Sequence, residues 1–234
     1  MQIWAGTSGY SYKEWRGSFY PEKMKPEAML QFYAQRLPSV ELNNTFYRMP
    51  RSSAVEAWAD RVGADFRFAL KASRRITHMA RLEDCSDSLE YMLSVTAPLG
   101  ERLGCWLFQL PPTMKRDDER LAAFLKELPT GLRAAFEFRH PSWFDDAVYS
   151  QLREHRAALV GGDLDEAHKN PPFEPTADWG YLRLRRSEYS DEDVRDWARR
   201  LVDSGVEQWY VYFKHEEQGP ALARQLLEAH ASLE

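Results

Sequence analysis

Cysteine is nearly absent from this chain: Cys85 and Cys105 are the only two, and neither sits in a metal-binding spacing. Such scarcity excludes a disulfide framework and a zinc ribbon, and fits a reducing compartment. Long apolar runs are also missing. No stretch approaches the roughly 20 residues needed to span a bilayer, so no membrane partner is expected. The first strand-like pattern begins at residue 2 and leaves no room for a signal peptide. Excess positive charge is lacking too. The net charge is −5 and the pI about 5.8, which excludes a uniformly basic surface that coats nucleic acid, though not a local basic patch. These absences together favour a soluble cytoplasmic protein.

What the chain does contain is alternation. Eight short β-rich runs lie at 3–8, 39–44, 66–72, 105–111, 134–140, 157–163, 180–185 and 208–214. Helical patterns fill most of the gaps. Ser53 followed by Glu56 has the spacing of a capping box and opens a helix that closes on Gly63. Ser190 precedes a run of acids and a helix that stops at Gly205. Two further patterns, beginning near Pro26 and Asp117, each end at a proline, and 84–98 is a less regular helix. The stretch after strand six, "DEAHKNPPFEPTADW", holds too much proline for a long helix and predicts a loop-rich crossover. Strand starts recur at about thirty residues, the size of a βα unit. Eight such units predict a single-domain (β/α)8 TIM-type barrel over 1–234, lean for its class.

In a parallel barrel the outer strand face is covered by helices and must be apolar. Polar groups near strand C-termini then point into the mouth, where barrel active sites lie. Glu41 and Asn43 alternate in strand two. Lys71 ends strand three, Gln109 lies in strand four, and Glu137 and Arg139 alternate in strand five. Asp163 ends strand six, Arg183 and Arg185 alternate in strand seven, and Lys214 closes strand eight. Seven of the eight strands are thus expected to deliver polar groups to one end.

The stretches "GTSGYSYKEWRGSFYP" (6–21), "VELNNTFYRMP" (40–50), "FALKASRRITH" (68–78), "QLPP" (109–112) and "EFRHPSW" (137–143) resemble the YecE-like proteins, domain of unknown function 72. The resemblance implies a barrel of this type and assigns no activity. It weakens in the C-terminal third. Where many members have Arg-x-His-Gly after strand seven, this chain has "RLRRS" (183–187); where many have an Asn-Asn pair, it has Lys214 and His215, although Gly219 and Ala221 still match. A shifted charge preference is implied if those positions bind ligand.

Of six histidines, only His78, His140, His168 and His215 can reach the mouth, and none forms a tight ligand pair, so no transition metal and no cofactor is predicted. Mg²⁺ held by Glu41, Glu137 or Asp163 stays open, because it needs few protein ligands. Lys71, Arg139, Arg183, Arg185 and Lys214 would focus positive potential in a low-dielectric concavity. Gly219 and Pro220 begin the last helix, a common phosphate position, with Glu216 and Glu217 counting against it. The bland alternative is a structural ion network of these arginines with Glu41, Glu137 and Asp163. Lys71 among cations would have a lowered pKa, suited to proton transfer or Schiff-base chemistry, unless it simply pairs with Glu41. Trp15, Tyr47 and Trp143, with Tyr10, Tyr12, Phe19, Tyr20 and Phe46, could form an aromatic rim or a packed lid.

The leading expectation is an enzyme, a hydrolase or a lyase or isomerase, that binds a small anionic, phosphorylated molecule. Arg139, Arg183 and Lys214 would hold the anion. Glu137 would be the general base, with His140 as a proton shuttle, Lys71 the electrophile, and Glu41 and Asn43 the orienting pair. Three alternatives stand beside it. A glycoside hydrolase would use Glu41 and Glu137 as its carboxylate pair. A nucleic-acid binding or cleaving protein, less favoured, would need a basic, aromatic-lined groove continuing outside the mouth. A catalytically inert barrel would only bind ligand. Nothing in the sequence sets an oligomeric state.

Overall fold

The computed structural model describes residues 1–215 and 217–233. Its eight strands are β1 (Gln2–Ser8), β2 (Ser39–Leu42), β3 (Arg67–Lys71), β4 (Leu103–Gln109), β5 (Ala134–Glu137), β6 (Ala158–Asp163), β7 (Trp179–Leu184) and β8 (Gln208–Phe213). They pair in parallel, in sequence order, and β8 returns to β1 with Ile3 opposite Trp209, closing the barrel. The predicted (β/α)8 architecture is the one observed.

Eight helices follow in chain order: α1 (Pro26–Ala34), a single turn α2 (Asn44–Tyr47), α3 (Ser52–Asp60), α4 (Ser86–Thr96), α5 (Asp118–Glu127), α6 (Asp146–Glu154), α7 (Asp191–Asp203) and α8 (Gly219–Ala231). Asp117 caps α5 by accepting from the Arg120 N–H, and Ser190 and Asp193 form a reciprocal capping box on α7. The capping box expected at Ser53 does not form. Helix α3 starts one residue earlier, at Ser52, whose hydroxyl instead donates to Glu56. The β6–β7 crossover carries only the short 3-10 turn Ala167–Lys169, as its prolines require.

Strand parity decides which side chains face inward. Ala69, Cys105, Leu107, Ala135, Ala158, Val160, Trp179, Tyr181, Tyr210 and Tyr212 fill the barrel interior as one cluster. The opposite parity, including Val40, Leu42, Phe68, Leu70, Trp106, Phe108 and Phe136, packs outward against the helices. The tyrosines close the lower interior so tightly that a Cβ on Gly104 would stand 2.6 Å from the Tyr210 ring. This end is a packed core, and only the C-terminal end of the barrel is open.

Three strands stop two or three residues short of expectation, and β3, β7 and β8 one residue short. Strand β2 ends at Leu42 because Asn44 begins α2, β4 ends at Gln109 before two prolines, and β5 ends at Glu137 ahead of the Pro141–Trp143 turn. Asn43 and Arg139 therefore lie on loops just beyond their strands.

Candidate active site

At the open end, β2, β5 and β7 place Glu41, Glu137 and Arg183 on the inner face, all buried. One guanidinium joins the two carboxylates: Arg183 donates to Glu137 Oε2 at 2.6 Å and to Glu41 Oε1 at 2.9 Å. Glu41 also accepts from Tyr181 at 2.6 Å and from the Asn43 amide at 2.8 Å. Glu137 accepts from Gln109 at 2.7 Å, from Arg185 at 2.5 Å and from Arg139 at 3.4 Å. Gln109 turns its other amide atom, Oε1, to the Lys71 ammonium at 2.8 Å. A continuous polar chain thus crosses the mouth from Lys71 through Gln109, Glu137 and Arg183 to Glu41. Asn43 shares a face with Glu41 because it is one of the donors that hold it.

Burial is the largest single effect and pushes both carboxyls up, but Arg183 and the other donors around each together outweigh it. Together with Tyr181 and Asn43, Arg183 holds Glu41 below the usual carboxylate range. With Arg185, Arg139 and Gln109 it holds Glu137 far below that range. This counts against two expectations. A glycosidase acid must be kept protonated, and neither glutamate is. A carboxylate stabilised by three arginines is also a weak proton acceptor, so Glu137 is poorly suited to be the general base. Lys71 behaves in the opposite way. Partial burial first, then the charges of Arg183 and Arg139, lower its pKa to about 8. Its Nζ sits 4.1 Å from the Phe46 ring centroid and bonds Gln109, not Glu41.

Above this floor lies a cavity of about 400 Å³. Asn43, Lys71, Gln109, Arg139, Arg183, Arg185, Lys214 and Tyr47 of the expected site line it, and Ser8–Tyr12 and Asn44 close it from the first two βα loops. Five cations against two carboxylates leave three positive charges in excess. The buried Nε–H groups of Arg183 and Arg185 have no partner among the described residues.

Other expected residues lie elsewhere. Asp163 shares parity with Leu159 and faces outward, where it accepts from Trp197 Nε1 at 3.1 Å and from the Tyr189 hydroxyl. Trp143 is fully buried, stacked on Phe138, and donates to the Met114 carbonyl. Trp15 is fully buried beneath the first loop. Neither indole can stack on a ligand, so the aromatic rim is reduced to Tyr10, Tyr12 and Tyr47. His140 is not a proton shuttle at the cavity. It caps its own turn by pairing with Ser142. His215 accepts from the Gln218 N–H and turns its other nitrogen to the Ser187 carbonyl. Gly219, at the start of α8, is buried against Thr7 and Trp15 and does not line the cavity. Glu217 is exposed, and Glu216 lies outside the described residues.

Among the described residues no three His, Cys, Asp or Glu side chains converge to hold a metal ion. Glu41 and Glu137 are committed to guanidinium, and Asp163 points away, so the three carboxylates considered for Mg²⁺ do not form its site. Among the same residues no helix is long and apolar enough to cross a membrane. Sequence reasoning missed Tyr181, and it offered Phe46 only as part of an aromatic rim, not as the ring beside Lys71. Tyr181 was within reach, since it precedes Arg183 on the same face of β7.

Fold and site together define a TIM-type barrel with a cationic mouth. The chain belongs to the DUF72 family, proteins of unknown function, whose model matches residues 4–233. It is 36% identical to the UPF0759 protein YecE of Escherichia coli K12 over 116 residues, 49% of this chain and 43% of that protein. It is 31% identical to the UPF0759 protein YunF of Bacillus subtilis over 157 residues, 64% of this chain and 55% of that protein. The matched stretches thus span about half the length of each relative. A crystal structure of a DUF72 family protein from Thermotoga maritima superposes with a TM-score of 0.86 at 28% identity, covering 97% of this chain and 98% of that one. Another from Enterococcus faecalis gives 0.79 at 19% identity, covering 98% and 96%, a likeness of fold alone.

Proposed function

We propose that the protein is an enzyme whose mouth binds a small molecule carrying a phosphate or carboxylate, with the Lys71 amine as its reacting group. The observation that carries this reading is the excess of cations over a floor whose two carboxylates are already neutralised. Lys71, Arg139, Arg185 and Lys214 face the cavity with more charge than Glu41 and Glu137 can answer. A low-dielectric concavity of this kind attracts an anion. The guanidinium groups of Arg139 and Arg185, which line the cavity, offer it planar donors.

An amine with a pKa near 8 is partly neutral at physiological pH. It can then take a proton or add to a carbonyl. Glu137 and Glu41 hold Arg183, Arg185 and Asn43 in place, a positioning task in place of the base role expected of Glu137. An isomerase or lyase acting on a phosphorylated carbonyl compound suits this set best.

The test is a thermal-shift screen at low salt against sugar phosphates, small oxo-acids and their uncharged parents. A ligand at a hundredfold its Kd adds about 2.7 kcal/mol, a rise of roughly 5–10 °C for a chain of this size. The rise is expected with the anionic compounds and should vanish in Arg139→Gln. Lys71→Met should keep binding but lose turnover. No anion-dependent rise, or one that survives Arg139→Gln and Lys214→Met together, would overturn the reading.

A further inference from the structure

Beside the mouth lies a second and larger groove, about 970 Å³, built from the loops after β2 and β3 and from α4. It shares Tyr47 with the mouth and nothing else. Its charge is one-sided. Arg48, Arg51, Arg74 and Arg75 line it, all exposed, and Asp87 is the one carboxylate among the lining residues. None of the four guanidinium groups has a hydrogen bond or ion pair among the described residues. Several arginines elsewhere on the surface are paired: Arg116 with Asp118 and Asp145, Arg120 with Glu83, Arg153 with Glu174, and Arg186 with Asp193. In a chain of net charge −5, four such arginines around one depression are a local concentration of positive charge.

Apolar groups gather at the same place. Six large hydrophobic side chains are largely exposed among the described residues, and three of them, Tyr47, Met79 and Tyr91, line this groove. They include both of the aromatic rings so exposed, Tyr47 at 72% and Tyr91 at 57%. Exposed rings are costly where they serve no contact, and the hydration lost on covering them is regained as binding energy.

We infer that this groove binds single-stranded nucleic acid. Arginines at its edges suit a phosphate backbone, and free aromatic faces suit unpaired bases, which stack regardless of sequence. A duplex keeps its base faces hidden and could use only the arginines. An acidic peptide would likewise leave the rings without flat partners. The inference stands apart from the reading of the mouth, since it uses no residue of the cation cluster there.

The test is fluorescence anisotropy with a labelled mixed-sequence RNA strand, the DNA strand of the same sequence, their duplexes, and polyglutamate as a polyanion control. Single strands should bind, and log affinity should fall with log salt at a slope of about −3 if four phosphates are neutralised. Arg48→Gln combined with Arg75→Gln should make that slope shallower by roughly one to one and a half. Tyr91→Ala, which removes a ring that touches only the groove, should weaken single-strand binding roughly five- to a hundredfold and leave duplex binding unchanged. The RNA and DNA arms distinguish the two strand types, and either satisfies the inference. Absence of binding overturns it, as does equal affinity for duplex or polyglutamate, or a Tyr91→Ala protein that binds as the parent does. Loss of strand binding in Lys71→Met would place the strand in the mouth and overturn the assignment to the groove. Loss of small-anion shifts in Arg139→Gln bears only on the mouth.

Discussion

The mouth and the groove beside it are both rich in arginine, and they differ in what surrounds the guanidinium groups. In the mouth Arg183 is buried between Glu41 and Glu137, and Arg185 and Arg139 lean on the same Glu137. In the groove Arg48, Arg51, Arg74 and Arg75 stand in solvent without partners among the described residues. Identical chemistry thus does two jobs. The buried arginine is structural first, because its removal strands two charges in a low dielectric. The exposed ones contribute little to folding and remain available. Mutational stability should therefore separate the two sets sharply.

The largest effect is expected at Arg183. Arg183→Met leaves Glu41 and Glu137 buried without their shared partner, and breaking a buried pair from one side costs about 3–5 kcal/mol. Urea unfolding with an unchanged slope and a lower midpoint would register the loss. A variant as stable as the parent would mean that the network is not held together as described.

Acid should reveal the same network. Both carboxyls have folded pKa values below the unfolded value of about 4.3. The unfolded chain then binds more protons, so the stability they contribute is fully present above about pH 5 and is lost as pH falls below it. Urea midpoints of the parent should decline steeply in that window. Glu137→Gln should flatten the decline, since it removes the more strongly depressed carboxyl; an unaltered curve would assign the acid sensitivity to other groups.

Lys71 should respond to pH in the same direction, but as a penalty relieved at high pH and not as a stabilisation lost at low pH. Its folded pKa of about 8 lies below the unfolded lysine value of about 10.4, so its protonation is penalised in the folded state. That penalty is complete below about pH 8 and disappears as pH rises past the unfolded value. Lys71→Met should stabilise the protein by roughly 1 kcal/mol at neutral pH, and the gain should fade by about pH 11. Destabilisation at neutral pH would mean that the Gln109 bond and the Phe46 contact outweigh the repulsion.

The barrel and much of the mouth were legible because strand parity is a strict rule. Glu41, Lys71, Gln109, Glu137 and Arg183 each sit on the predicted inward face and line or floor one cavity. Parity failed for Asp163, where "ALVGGD" is apolar or glycine throughout and shows no alternation from which to count. Trp15 and Trp143 were misplaced for a different reason. An aromatic in a loop looks the same whether it roofs a ligand or a core, and only the stacking of Trp143 on Phe138 decides. An ion network of the arginines with Glu41 and Glu137 was among the expectations, but which arginine meets which carboxylate was out of reach. That Glu137 would meet three arginines follows from register across β5 to β7, and with it the carboxyl changes from base to strut. The groove was invisible because Arg48, Arg51, Arg74, Arg75 and Tyr91 belong to three separate segments that only the closed barrel brings together.

The smallest stability effect belongs to that groove. Arg75 begins the π-turn Arg75–Met79, and its exposed side chain makes no hydrogen bond or ion pair among the described residues. Substitutions of this kind usually fall within about 0.5 kcal/mol. Four like charges crowded at one depression also repel one another, more at low salt than at high. Arg48→Gln with Arg75→Gln should therefore leave the urea midpoint unchanged or slightly raised at low ionic strength, and indistinguishable from the parent at high. A clear loss of stability would show that these arginines are structural after all, and the contrast with Arg183 would disappear. A near-zero effect, beside the large cost of Arg183→Met, leaves binding as the remaining physical reason to keep four unpaired positive charges together on an acidic protein.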